Sequence, residues 1–426
     1  MSRPIVVSGS GAICAAGKTP AEIWSAVSAG RSAIRPIEQW DTAGWPTTLA
    51  GEIPGFDPRA LVEDRKLHRL LQRSDLFGLY AAARALDDSG FAAYRDTLDP
   101  DAAATVNDRT GVFVGMGGGS YQNEYEFFPL LTTANGDLQA FGRELTAGVN
   151  PTWLLRSMPN NVLCYIGIRH GLKGPNACLT NHSVSGSLAI AEAAAALRAG
   201  EADRALAVGH DAPIEPQMVL YYHQLGLLSP DGLWPFDTRR AGSVLGEGAA
   251  ALVLETEKAA AERGAAVLGE LLGSGCATEA EGLLPIRADG DGLASAIAMA
   301  LDDAGIRPAE VGMIVAHGSA TRASDTSEAL AIQRVFGETA PPVTALKWAF
   351  GHPIAASGIL DSVLALLALR HRVVPGVATL RALDPDVGRL PVSSGPQAPR
   401  SDVALVLNRG FGGSNTALVF RAPDPG

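Results

Sequence analysis

The sequence predicts an α/β fold assembled from two similar halves, and three observations predict it. Short β-branched, apolar runs ending in glycine recur, alanine-rich stretches of helical length separate many of them, and the runs fall into two series of four. The chain has 426 residues, more than one ordinary core accommodates, so a double-sized unit is expected.

The first series comprises residues 5–11, 111–117, 205–209 and 249–255. The second comprises 267–273, 312–318, 343–348 and 402–413, the last running on to 420. Helices are expected over 76–89, 185–199, 292–304, 324–336 and 354–371. The join is placed near 258–264, which divides the chain into an N-terminal half, 1–257, and a C-terminal half, 258–426, with helices packed against mixed sheets. Residues 118–156 lack strong periodicity and carry Tyr, Phe and Asn clusters, so they are expected to cross the surface as a lid or subunit contact.

Composition narrows the function classes. Hydrophobic residues make up 47% and charged residues 19%, with 48 glycines and 27 prolines, which describes a compact α/β enzyme with many tight turns. There is no run of 18 or more apolar residues, so no membrane span is expected. The N-terminus enters a strand-and-glycine pattern directly, without a signal-peptide apolar core, and a cytoplasmic location is expected. Cys14, Cys164, Cys178 and Cys276 are widely spaced with no CxxC pair, which indicates neither a disulfide framework nor a metal site. A formal charge of -11 argues against general nucleic-acid binding, and any acidic partner must dock on a local basic patch. Arg65, Lys66, Arg69 and Arg73 are such a patch, spaced so that three fall on one helical face; a solvated basic face is the alternative.

Three stretches, and a glycine run beside them, carry groups that make chemical sense together. From Gly174-Pro175 the chain runs through Asn181-His182-Ser183 into an alanine-rich helix, and a turn of this kind holds a nucleophile where helical N–H groups point at developing negative charge. Taken alone, Ser183 reads equally as part of a helix cap. His317-Gly318-Ser319-Ala320-Thr321 follows a strand, where α/β enzymes place catalytic groups, although a packed histidine fits too. Lys347 and His352 flank a glycine turn, and Arg409-Gly410-Phe411-Gly412-Gly413 allows close backbone approach to a ligand or, more simply, a tight hairpin.

In combination these motifs resemble the β-ketoacyl synthases over nearly the whole chain. Met158-Pro159-Asn160, Gly174-Pro175, Trp234-Pro235-Phe236-Asp237, Gly246-Glu247-Gly248, His317-Gly318, Lys347, Gly351-His352 and residues 410–415 fall in that family's order. The resemblance implies a thiolase fold, internally duplicated as five layers α-β-α-β-α, and a dimer. It also implies acyl groups delivered on the phosphopantetheine arm of an acyl carrier protein, with no bound cofactor. It assigns His317 and His352 to decarboxylation and enolate stabilisation, and Lys347 and Glu328 to a supporting ion pair. Ser319 and Thr321 correspond to the residues that hold the pantetheine arm, and Phe411 to the gate whose N–H joins the oxyanion hole. Arg65, Lys66 and Arg69 are expected to dock the carrier.

One departure bears on the reaction. Counted without a gap from Gly174-Pro175, the family's nucleophilic cysteine falls on Ser183, and Cys178 lies five residues early. A helix N-terminus favours an anion by up to about 2 kcal/mol, enough to ionise a thiol but not a hydroxyl with a pKa near that of water. Ser183 therefore needs a base, for which His317 or His352 is the expected candidate. The resemblance implies an acyl-transferring, condensing enzyme with a serine nucleophile, in fatty-acid or polyketide biosynthesis. The alternatives are a partner subunit like a chain-length factor, in a heterodimer with an active synthase, and a decarboxylase of carrier-bound malonyl groups.

Overall fold

The structure, a computed structural model, describes residues 4–117 and 127–423. Ten strands form its main sheet: β1 (Ile5–Cys14), β2 (Thr110–Met116), β3 (Asn176–Leu179), β4 (Arg204–Asp211), β5 (Gly248–Thr256), β6 (Gly269–Thr278), β7 (Met313–Val315), β8 (Val343–Thr344), β9 (Val403–Gly410) and β10 (Ser414–Arg421). Their order is β8-β7-β9-β10-β6-β1-β5-β4-β2-β3.

That order contains a repeat. From the outer edge inward, the first half runs β3-β2-β4-β5-β1 and the second β8-β7-β9-β10-β6, so strands equivalent in sequence occupy equivalent places. The outer three of each half are parallel, and the next two pair antiparallel. The halves meet where β1 pairs with β6 through Val6↔Glu270 and Val7↔Gly269.

Burial explains why these segments are strands. Every residue of β5 is buried, and β9 and β10 are buried up to their last residue, as expected for strands covered on both faces. Six helices do most of the covering: α1 (Arg73–Asp88), α2 (Asn161–His170), α3 (Ser185–Ala199), α4 (Asp291–Ala304), α5 (Arg322–Phe336) and α6 (Ser357–His371). Helix α1 packs on β1, β5 and β4, and α4 packs on β6 and β10. Between them α3 lies on β4 and β2, while α6 contacts α3, β9 and β5, which gives the layers α-β-α-β-α. The two central helices touch closely: a Cβ on Gly358 would fall 1.8 Å from Ser187 Oγ, and one on Gly186 2.6 Å from the Ala355 carbonyl. The stretch Ile354–His371 is long and apolar enough to cross a bilayer, but most of it is buried in this central layer.

The structure corrects several expected elements. Strand β3 and helix α2 were not expected, because a four-residue strand with no fully buried position and a polar-interrupted decapeptide carry little periodicity. The run 402–420 is two strands, folded back at Phe411–Gly413 where Gly412 and Gly413 adopt φ of 76° and 67°. The strand expected over 343–348 stops at Thr344, and Lys347–Phe350 is a helical turn. Within 127–156 lie helices Phe128–Ala134, Leu138–Gly148 and Trp153–Ser157; the expectation for 118–126 lies outside the described residues.

Candidate active site

Ser183 sits in a 3-10 turn, His182–Val184, that leads directly into α3. Its counterpart in the second half is the 3-10 turn Ile354–Ala356 leading into α6, and both begin with a residue at positive φ: His182 at 50° and Ile354 at 35°. A non-glycine residue there is uncommon and is held by its surroundings. Around Ser183 the Ser185 hydroxyl donates to the His182 carbonyl at 2.8 Å and accepts from the Asn181 N–H at 2.8 Å. Ser183 Oγ lies 2.9 Å from His182 Nδ1, and His182 Nε2 lies 2.5 Å from the Tyr222 hydroxyl.

His317 follows β7 and His352 follows the turn Lys347–Phe350, and their rings meet edge to face with centroids 5.1 Å apart. The Gly246-Glu247-Gly248 motif explains how His352 is held. Its N–H donates to the Val244 carbonyl at 2.7 Å, its carbonyl accepts from the Gly246 N–H at 2.9 Å, and Glu247 is tied to the Ile53 N–H and to Arg73. Backbone donors fix both tautomers. The Ile354 N–H donates to His352 Nδ1 at 3.1 Å and the Arg409 N–H to His317 Nδ1 at 3.4 Å, so each ring carries its proton on Nε2. Burial, reinforced by the Lys347 ammonium, holds both imidazoles well below their usual pKa, and they are neutral at physiological pH.

Lys347 does not pair with Glu328. Its ammonium is 2.9 Å from the carboxylate of Asp361 on α6, and both side chains are wholly buried. Glu328, on α5, instead accepts the N–H groups of His317 at 2.7 Å and Gly318 at 2.9 Å, fixing the turn that carries His317. A carboxylate that accepts two backbone donors has less need of an ammonium, whereas Lys347 is the only cation that pairs with Asp361 among the described residues. Burial pushes both carboxyls upward, and Lys347 pulls them back.

One cavity of about 240 Å³ gathers most of the expected site: Ser183, His317, His352, Ser319, Thr321 and Phe411 all line it. Ser319 Oγ and Thr321 Oγ1 lie 3.1 Å apart on its wall. Phe411 stacks on His182 with centroids 4.1 Å apart and on Tyr222 at 5.7 Å, so three rings close one side. Arg409 is buried and neutralised by Glu279, with its Nε 2.9 Å from Asn415 Oδ1. Cys178 is not part of this cavity; it lies on β3 with its thiol 3.3 Å from the Pro159 carbonyl.

The basic patch is only partly as expected. Arg65, Lys66 and Arg69 are exposed, but no continuous helix joins them, since only Leu67–Arg69 forms a 3-10 turn. Arg73 starts α1, forms an ion pair with buried Glu247 and lies over the Phe56 ring, so it leaves the patch.

Residues 2–260 match the family described as Beta-ketoacyl synthase, N-terminal domain, and residues 268–381 match its C-terminal domain. The chain belongs to the β-ketoacyl synthase family. The tetracenomycin polyketide synthase ketoacyl synthase beta subunit of Streptomyces glaucescens is 34% identical over 98% of both chains. Among solved structures, the ishigamide ketosynthase/chain length factor superposes on this thiolase-fold synthase with a TM-score of 0.88, at 28% identity, covering 99% of this chain and 100% of the other. A second, AntDE:AntF, a type II polyketide synthase carrier protein in complex with its ketosynthase, gives a TM-score of 0.81 at 27% identity over the full length of both chains.

Three residues of this β-ketoacyl synthase's site escaped the sequence reading. Asp361 left a signal, as the one acid in a helix whose charged residues otherwise stand only in its last turn, because a buried charge requires a partner. His182 also left one, as a histidine standing directly before the residue at the nucleophile position. Tyr222 left none, since only folding brings the helix Pro216–Gln224 against the turn at Ser183.

Proposed function

We propose that this chain accepts an acyl group from a carrier-protein thioester onto Ser183 and condenses it with a malonyl unit decarboxylated at His317 and His352. One observation carries the reading: the Ser183 hydroxyl and two histidines fixed as Nε2–H donors line the same cavity. Two such donors suit the carbonyl oxygen of a malonyl thioester, which becomes an enolate as carbon dioxide leaves. The Phe411 and Ser183 N–H groups serve as the oxyanion site, and Ser319 and Thr321 take the pantetheine arm. Lys347 with Asp361, and Glu328, position the histidines rather than transfer protons.

The test is intact-protein mass spectrometry after incubation with acyl-carrier thioesters. The wild-type chain gains one acyl group, and Ser183→Ala gains none. A wild-type chain that stays unmodified while Ser183→Cys is acylated overturns the reading, because the site is then competent and the hydroxyl inert. A second reading is favoured by the 34% identity to a beta subunit, namely a partner that shapes the cavity of an active synthase. It requires a heterodimer and no turnover by the purified chain. Either reading places subunits together, and the exposed Leu138, Leu154, Leu155 and Ile168 are apolar surface that such a contact could cover.

The carrier is proposed to dock at Arg65, Lys66 and Arg69, an exposed cationic group on an acidic chain. Reversing Lys66 and Arg69 to glutamate is expected to weaken carrier binding and flatten its dependence on salt. Titration at low ionic strength checks this, and unchanged affinity removes the assignment.

A further inference from the structure

We propose that His182 is the general base that activates Ser183 and that Tyr222 is its positioning residue, an inference resting on the acyl-serine reading above. The contacts converge on one nitrogen. Ser183 Oγ lies 2.9 Å from His182 Nδ1, and the Phe411 N–H points at the same atom from 3.5 Å. An N–H donor facing Nδ1 leaves that nitrogen an acceptor, so it takes the serine hydroxyl hydrogen bond and the ring proton resides on Nε2. There it donates to the Tyr222 oxygen at 2.5 Å, which fixes the tautomer as a carboxylate does in a catalytic triad.

The histidines expected for this task are occupied. His317 and His352 each have Nδ1 committed to a backbone N–H and Nε2 protonated, so neither offers a lone pair to Ser183. His182 is also held in place: its backbone is left-handed, and its ring stacks 4.1 Å from Phe411. Burial lowers its pKa to about 4, so the imidazole is neutral and free to accept a proton at physiological pH. The groups facing it are Tyr222, Ser183, His317 and His352, and none carries a negative charge that would keep it protonated.

The step balances. Ser183 Oγ attacks the thioester carbonyl carbon as its proton passes to His182 Nδ1, which then no longer accepts the Phe411 N–H, and the carbonyl electrons move to the oxyanion, which takes the Phe411 and Ser183 N–H groups. Collapse breaks the carbon–sulfur bond, and the departing pantetheine sulfur takes the proton from Nδ1. The products are an acyl-serine ester and a free thiol, with His182 neutral again.

The experiment measures how fast a fluorophosphonate labels Ser183 and how fast an acetyl-carrier thioester acylates it, both by intact mass. Both His182→Ala and His182→Asn are expected to slow labelling by about 10²–10⁴-fold, the usual contribution of a general base. Asparagine tolerates the left-handed backbone and keeps the fold in place. Tyr222→Phe is expected to slow labelling about tenfold. In the Ser183→Cys chain, alkylated by iodoacetamide, the same changes at 182 and 222 shift the rate by less than about tenfold, because a thiol ionises without the base. Wild-type labelling rates in His182→Asn, equal losses in the serine and cysteine chains, or no labelling of native Ser183 each overturn the assignment. Labelling of native Ser183 without acylation by the carrier thioester overturns the acyl-serine reading instead and leaves His182 as its base.

Discussion

Replacing Asp361 with alanine is expected to destabilise the protein by about 3–5 kcal/mol, because it strands the Lys347 ammonium in a wholly buried position. Glu328 already accepts two backbone N–H groups, and Asn408, whose amide donates to Asp361 at 3.4 Å, carries no charge. The location adds a functional cost, since Lys347 opens the turn that ends at His352 and Asp361 lies on the helix that follows it. Thermal or urea unfolding should therefore show a lowered midpoint together with a fall in activity. Removing both charges, with Lys347→Met and Asp361→Leu, should recover much of the stability and little of the activity. A wild-type midpoint in Asp361→Ala would show that the charge is not held by this pair.

Decarboxylation of a malonyl-carrier thioester is expected to fall about 10²–10³-fold in either His317→Ala or His352→Ala, the loss typical of one oxyanion donor. Counting acetyl-carrier by mass separates this step from acylation of Ser183. Its pH dependence follows from the geometry. Protonating either ring would place an Nδ1–H against the N–H of Ile354 or Arg409, two donors facing each other. Burial and the Lys347 ammonium place both pKa values well below 6.5, so the neutral fraction stays high as pH falls through 6.5 and is lost only in more acidic solution. The rate should thus be nearly level between roughly pH 7 and 6, whereas an ordinary histidine would be half protonated near the middle of that range. A wild-type rate in either variant, or a sharp fall near 6.5, would remove the histidines from this role.

The sequence by itself determined the class of fold, the doubling and the identity of Ser183, His317, His352, Ser319, Thr321 and Phe411, which line the cavity. Periodicity reports which faces are buried, so β5, α3 and α6 were legible as elements, and the glycine-punctuated motifs marked the turns that carry Ser183, His317 and His352. Short or half-polar elements such as β3 and α2 were not legible, because too few residues repeat there for a face to declare itself. Only the tertiary structure decided who pairs with whom. The sequence offered Glu328 to Lys347, and packing instead gave Glu328 to a backbone turn and Asp361, which the sequence reading had passed over, to the ammonium. Likewise the sequence offered His317 or His352 as the base for Ser183. A backbone N–H from β9 occupies His317, one from two residues further along the chain occupies His352, and a tyrosine from another helix orients His182, which the sequence reading had passed over. A hydrogen bond depends on tenths of an ångström and on a tautomer, and such quantities exist only once the chain has folded.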